Sequence, residues 1–352
     1  MISATRDAHA AGSSGRALIM MGLILLAVLL VVGAVVWAVR AASSAESRNA
    51  AAGLPPPEQP SPADQRARRE ATEDRERAER LAKLMEKLRP LATKISKPGP
   101  NDWLARHKEP GQTFKEYLAC DPTRPSGKRN TIYIQPLGEF TETQRKIVKL
   151  TAEFMEIYFN VPGKVREALD LKIIPAKARR KHPTWGMDQI LTGYILDEIL
   201  KPRLPEDAAA MICFTASDLW PGEGWNFVFG QASLEERVGV WSIYRNGDPE
   251  KSADDFRLCL LRTLKTATHE TGHMFSMYHC ILYECNMCGS NHREESDRRP
   301  ITLCPECLAK LCWAARAEPA GRYRKLIEFC KREGLKPEAE AYEKFLAAIE
   351  GK

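Results

Sequence analysis

The pattern of apolar and polar positions divides the chain into stretches of different character. Residues 17–39, ALIMMGLILLAVLLVVGAVVWAV, run for 23 positions without a charge, between Arg16 and Arg40. That is long enough to cross a bilayer as one helix, and longer than the apolar core of a cleaved signal peptide. We therefore expect a retained, single-pass N-terminal membrane anchor behind a short tail, residues 1–16. Arginines flank the run on both sides, so the side of the membrane taken by the rest of the chain stays open. Residues 40–100 should form a Pro/Ala-rich linker followed by a charged helical stalk. Within them, 64–89 mixes both charge signs densely, and only Leu81, Leu84, Met85 and Leu88 form an apolar stripe at helical spacing. Such a helix should be solvated. Pro90 and 97-KPGP-100 end it.

Beyond residue 100 the periodicity becomes that of a folded domain, spanning 101–313 and gaining regular structure near 129. The run 131-TIYIQPLG-138 alternates β-branched and aromatic residues and reads as a strand. Residues 141–159 place Ile147, Leu150, Phe154 and Ile157 or Tyr158 on one helical face, with Thr141 as the cap. Helical spacing returns at 186–200. Strands are expected at 209–216, 226–230 and 237–244, and a helix at 254–275 with Phe256, Leu260, Leu261, Leu264 and Ala267 turned to the core. A C-terminal extension, 314–352, should hold helices at 318–333 and 337–349, separated by Gly334 and Pro337. Strands interleaved with helices predict an α/β (α+β) domain around a mixed sheet.

Composition changes this picture in two ways. A net charge of +6 over 352 residues is mild and comes without a basic run interleaved with aromatics, so no nucleic-acid surface is expected. Ten cysteines are many, and Cys280, Cys285, Cys288, Cys304, Cys307 and Cys312 fall close together. In a chain of this length, paired C-x-x-C units read as zinc ligands rather than as a disulfide framework.

The candidate chemistry lies in 269-HETGHMFSMYHC-280. His269 and His273 are four apart, so on a helix they share a face and can reach one zinc ion. Glu270 is rotated by about 100° from His269, too far to be a natural ligand but close enough to take a proton from water on the metal. His279 joins only if the helix stops near residue 275 and the chain doubles back. A left-handed residue at that turn costs about 1–2 kcal/mol for anything but glycine, and the position is Ser276. Metal ligation is strong enough to offset that cost. For the cysteines, spacing leaves two closed four-thiolate sets open. One is Cys285, Cys288, Cys304 and Cys307; the other is Cys280, Cys285, Cys304 and Cys307.

The ordered run HETGHMFSMYHC, then 285-CNM-287, then 289-GSNHREESDRRPITLCPECLAKL-311, closely resembles the archaemetzincins, a metzincin branch of zinc metallopeptidases. Upstream, 132-IYIQPLGEF-140, 217-SDLW-220, 226-NFVFGQA-232 and 256-FRLCLLRTLKTATHE-270 extend the resemblance, which covers roughly 130–313. It implies a metzincin-like fold with an active-site helix. His269, His273 and His279 would bind a catalytic zinc, Glu270 would be the general base, and Met287 would be the methionine of the turn beneath the metal. Cys280, Cys285, Cys304 and Cys307 would hold a second, structural zinc, making two zinc ions per chain. The strand at 226–230 would be the sheet edge along which an extended peptide substrate pairs. Two features depart from the family: Ser276 stands where it has glycine, and archaemetzincins are generally soluble while this chain carries the apolar run. The competing expectation is a membrane-anchored, zinc-scaffolded peptide-binding module that hydrolyses nothing. Glu270 weighs against it, because a scaffold has no use for a base beside its metal.

Overall fold

The computed structural model describes residues 61–233 and 236–352. The apolar run 17–39, the tail before it and most of the linker after it lie outside the described residues. Among the described residues, no helix is long and apolar enough to cross a membrane. Contacts divide the chain into Met1–Arg69 and Glu70–Lys352, and the architecture that follows is that of the larger unit.

The expected stalk is α1 (Pro62–Leu88), and from Glu70 onward it differs from a solvated helix. Leu81 and Leu88 are buried in the main core, and the Trp313 indole donates to the Asp74 carbonyl at 3.1 Å. Two turns of apolar stripe, too short to specify a coiled coil, are enough to dock one helix end against a core built elsewhere. After the break at Pro90, residues 93–95 run antiparallel to 282–284, with Lys94 opposite Tyr283. The short helix α2 (Phe114–Ala119) follows, opened by a capping box between Thr113 and Glu116.

The main sheet has the order β2-β1-β5-β8-β7. Its strands are β1 (Thr131–Leu137), β2 (Gly163–Val165), β5 (Ala208–Thr215), β7 (Gly230–Ala232) and β8 (Val238–Ser242). The first four in sheet order pair in parallel, and β7 closes one edge antiparallel to β8. All eight residues of β5 are buried, as expected of a parallel strand covered on both faces. Ile212 and Phe214 face one core, with α3 (Glu142–Phe159) and α4 (Ala253–Met274); Met211 and Cys213 face the other, with Ile190, Ile195 and Leu219. A smaller sheet joins β3 (Arg179–Lys181), β4 (Asp188–Leu191) and β6 (Asp218–Trp220). Thr141 caps α3 reciprocally with Gln144.

Two expected elements shift. Residues 186–200 open as strand β4 and turn helical only from Thr192. Pairing with β6 overrides the helical period, because buried Gln189 donates to Asp218 and to the Asn226 carbonyl. The strand expected at 226–230 is irregular until Gly230, and the sheet edge lies at 230–232. The C-terminal extension is part of the same core. Helix α5 (Arg293–Arg298) leads to α6 (Pro305–Ala314), then to α7 (Pro319–Arg332) and α8 (Lys336–Glu350). Phe154 of α3 meets Phe329 of α7 edge-on at 5.0 Å, and Tyr323 and Tyr342 are fully buried.

Candidate metal centre

Helix α4 begins at the Ser252 cap and presents Leu260, Leu264, Ala267, Thr268 and Thr271 to the interior. It ends at Met274, and Ser276 takes the left-handed conformation, φ 62°. The reversal is closed by Ser276 N–H donating to the His273 carbonyl at 2.8 Å and Met277 N–H to that of Gly272 at 3.1 Å. It is also held from outside. The Tyr117 hydroxyl donates to the Phe275 carbonyl, the Gln112 amide to the Ser276 carbonyl, and the Thr123 N–H to the Ser276 hydroxyl. The left-handed serine therefore has a partner for its side chain.

This turn brings His279 to the two helical histidines. Their ring centroids are 4.6, 4.8 and 5.2 Å apart, and one nitrogen of each lies within 4.8 Å of the other two. Every Nδ1 faces outward to an acceptor. His269 donates to the Asn286 carbonyl at 2.7 Å, His273 to that of Met277 at 2.6 Å, and His279 to the Glu109 carboxylate at 2.8 and 2.9 Å. With the protons there, the Nε2 lone pairs are left for the common centre. Burial first, and then the neighbouring imidazoles, push His269 down to about 3 and His273 well below its usual value, so both stay neutral. His269 and His273 Nε2 are 3.0 Å apart. Two ligands of a tetrahedral zinc should stand about 3.3 Å apart, so the donor set fits that ion.

Glu270 opens on the same cleft, and desolvation raises its carboxyl to about 7 against a smaller opposing effect of His279. The cleft, about 490 Å³, is walled by Trp103, by residues 224–232 including β7, and by Ser290 and Asn291. Met287 lies beneath α4, and glycine at 272 lets its sulfur pack directly on the helix, where a Cβ would come within 2.6 Å of it. Asn286 links this loop to the helix, its amide donating to Thr268 Oγ1 at 2.8 Å.

Of the two cysteine sets left open by spacing, the structure gathers Cys280, Cys285, Cys304 and Cys307, with every Sγ within 4.8 Å of the others. All four are buried, and Cys280 and Cys304 Sγ are 3.7 Å apart, close to the roughly 3.8 Å expected between thiolates on one zinc. Main-chain N–H groups of Met287 and Cys304 point at Cys285 Sγ, and that of Cys307 at Cys304 Sγ. Cys288 stands beside this group, its thiol donating to the Tyr283 carbonyl at 3.2 Å, which Cys280 Sγ also approaches at 3.6 Å, and Cys312 is a buried thiol raised to about 11 by desolvation. No cysteine is in a disulfide among the described residues.

Sequence reasoning missed Glu109, Trp103 and Gln112. They lie in a polar segment without periodicity, and nothing local marks a lone carboxylate that meets a histidine 170 residues away. A third group, Asp102, His292 and Glu295, is already neutralised: Arg298 pairs with Asp102 at 2.9 Å and Arg299 with Glu295 at 3.2 Å.

The family model described as peptidase family M54 matches residues 208–312. Archaemetzincin-2 of Homo sapiens is 35% identical over 267 residues, covering 67% of this chain and 73% of its own length. Archaemetzincin of Thermococcus kodakarensis is 33% identical over 183 residues, 51% of this chain and 94% of that protein. Among solved structures, archaemetzincin from Methanopyrus kandleri is 28% identical, covers 55% of this chain and 99% of its own, and superposes with a TM-score of 0.45.

Proposed function

The chain belongs to the archaemetzincin family of zinc metallopeptidases, and from that premise we propose how its own residues perform peptide hydrolysis. His269, His273 and His279 hold the catalytic zinc, and Cys280, Cys285, Cys304 and Cys307 hold a second, structural one. The observation that carries this reading is the histidine arrangement, in which every Nδ1 has an outer acceptor and the Nε2 atoms face one point. Zinc bound there supplies Lewis acidity to a scissile carbonyl and makes water more acidic.

Glu270 is the group that moves the proton. Its carboxylate accepts a proton from the attacking water and returns it to the departing amine nitrogen. Glu270 lines the same cleft as the three histidines, so its carboxylate is within reach of both the water and the amine. Strand β7 orients the substrate. Its outer edge has no strand partner among the described residues and borders the cleft, so an extended peptide can add its main chain there. Met287 and Asn286 support the helix from below.

Comparison of the full-length protein with its Glu270→Ala variant tests this function. The expected result is equal zinc content in both, with hydrolysis of a broad peptide panel falling at least about 10²-fold in the variant. If both hold zinc and neither cleaves any peptide, the chain is a silent binding module. We also propose that residues 17–39 anchor the protein in a membrane, supported by 23 successive uncharged positions.

A further inference from the structure

We infer that Glu109 is a positioning residue of the histidine centre, delivered by a strap outside the segment that matches the family model. The inference rests on His279 being a zinc ligand. His279 is the one histidine of the three that the helix cannot place. Its Nδ1 donates to both oxygens of Glu109, at 2.8 and 2.9 Å, whereas His269 and His273 donate to main-chain carbonyls. Only His279 is therefore paired with a full negative charge. An imidazole that donates to a carboxylate is a stronger base at its other nitrogen and binds a cation more tightly.

The strap, residues 99–113, is built to hold that carboxylate in place. At its start Asp102 caps Gly99 N–H and pairs with Arg298, and the Trp103 N–H donates to Glu295 at 3.0 Å. The Trp103 indole packs so tightly on Gly289 that a Cβ there would come within 2.5 Å of the ring. Its Nε1–H donates to Glu109 Oε1 at 2.6 Å, and its face stacks on His107 at 3.9 Å. At the far end Gln112 bonds both ways to the turn, donating to the Ser276 carbonyl and accepting from Tyr278 N–H, each at 3.2 Å. Glu109 thus has two donors and is fixed on both sides in sequence. Trp103 also meets the His279 ring edge-on at 5.2 Å, so the strap walls the cleft while it orients the ligand.

Glu109→Gln tests this in the full-length protein. The amide keeps the shape and, with its oxygen at the Oε1 position, can still accept from both Trp103 and His279, but it removes the charge. Zinc affinity is read by competition with a chromophoric chelator, zinc per chain by elemental analysis, and stability by melting of the protein with only its cysteine site filled. The expected result is about 10–100-fold weaker binding at the histidine site, with the cysteine-bound zinc and the melting temperature unchanged. Binding within threefold of wild type overturns the inference. So does weaker binding accompanied by loss of the cysteine zinc or a lower melting temperature, which would mark a purely structural role. If wild type itself takes no zinc beyond the cysteine site, the histidine centre fails along with it.

Discussion

At the scale of the residue, the histidine site is specified as much by outward hydrogen bonds as by inward nitrogens. An imidazole with the wrong tautomer would turn a proton, not a lone pair, toward the metal. Ser276 shows how two small effects offset. A left-handed serine costs about 1–2 kcal/mol relative to glycine. The hydrogen bond from Thr123 N–H to its hydroxyl, at 3.0 Å, returns about the same. Ser276→Gly should therefore leave stability within about 1 kcal/mol, a melting shift of a few degrees at most. Zinc content should not change. A loss above about 2 kcal/mol in a denaturant titration would mean that the hydroxyl contact to Thr123 outweighs the backbone strain.

At the scale of the element, α3, α4, β1, β5 and β8 follow the expected spans to within a residue or two at each end. Their periods are long and their burial one- or two-sided, so sequence carries them well. Short elements fail. Residues 188–191 became a strand because β6 offered a partner and Asp218 offered a ligand for Gln189. The loop after α4 was legible in its chemistry but not in its pairing, since two thiolate sets satisfied the spacing equally. The geometry makes a prediction there. Cys280→Ala should lose one zinc per chain or unfold the protein, while Cys288→Ala, whose thiol donates to Tyr283, should keep full zinc content. Elemental analysis of both variants decides it. Full zinc retention in Cys280→Ala with loss in Cys288→Ala would restore the other set.

At the scale of the whole molecule, the family segment is embedded in what surrounds it. Leu81 and Leu88 of α1, Tyr117 of α2 and Tyr323 and Tyr342 of the C-terminal helices are buried in the same core as Phe275 and Met287. Anchoring through residues 17–39 predicts that the full chain sediments with membranes and resists alkaline carbonate, and that deletion of residues 1–40 releases it. Recovery of the intact chain in the soluble fraction would end that proposal. By itself the sequence determined which atoms are available as ligands and base, the need for a reversal after Met274, and the long elements on either side. These depend on residue type and on spacings of a few residues, which local sequence records. Tertiary structure separated the two thiolate sets that spacing left open, and it alone decided where the sheet edge falls, that α1 docks, and that Glu109 reaches His279. Each of these joins groups far apart in the chain, and their meeting depends on how the whole core packs rather than on any repeat that a local window can hold.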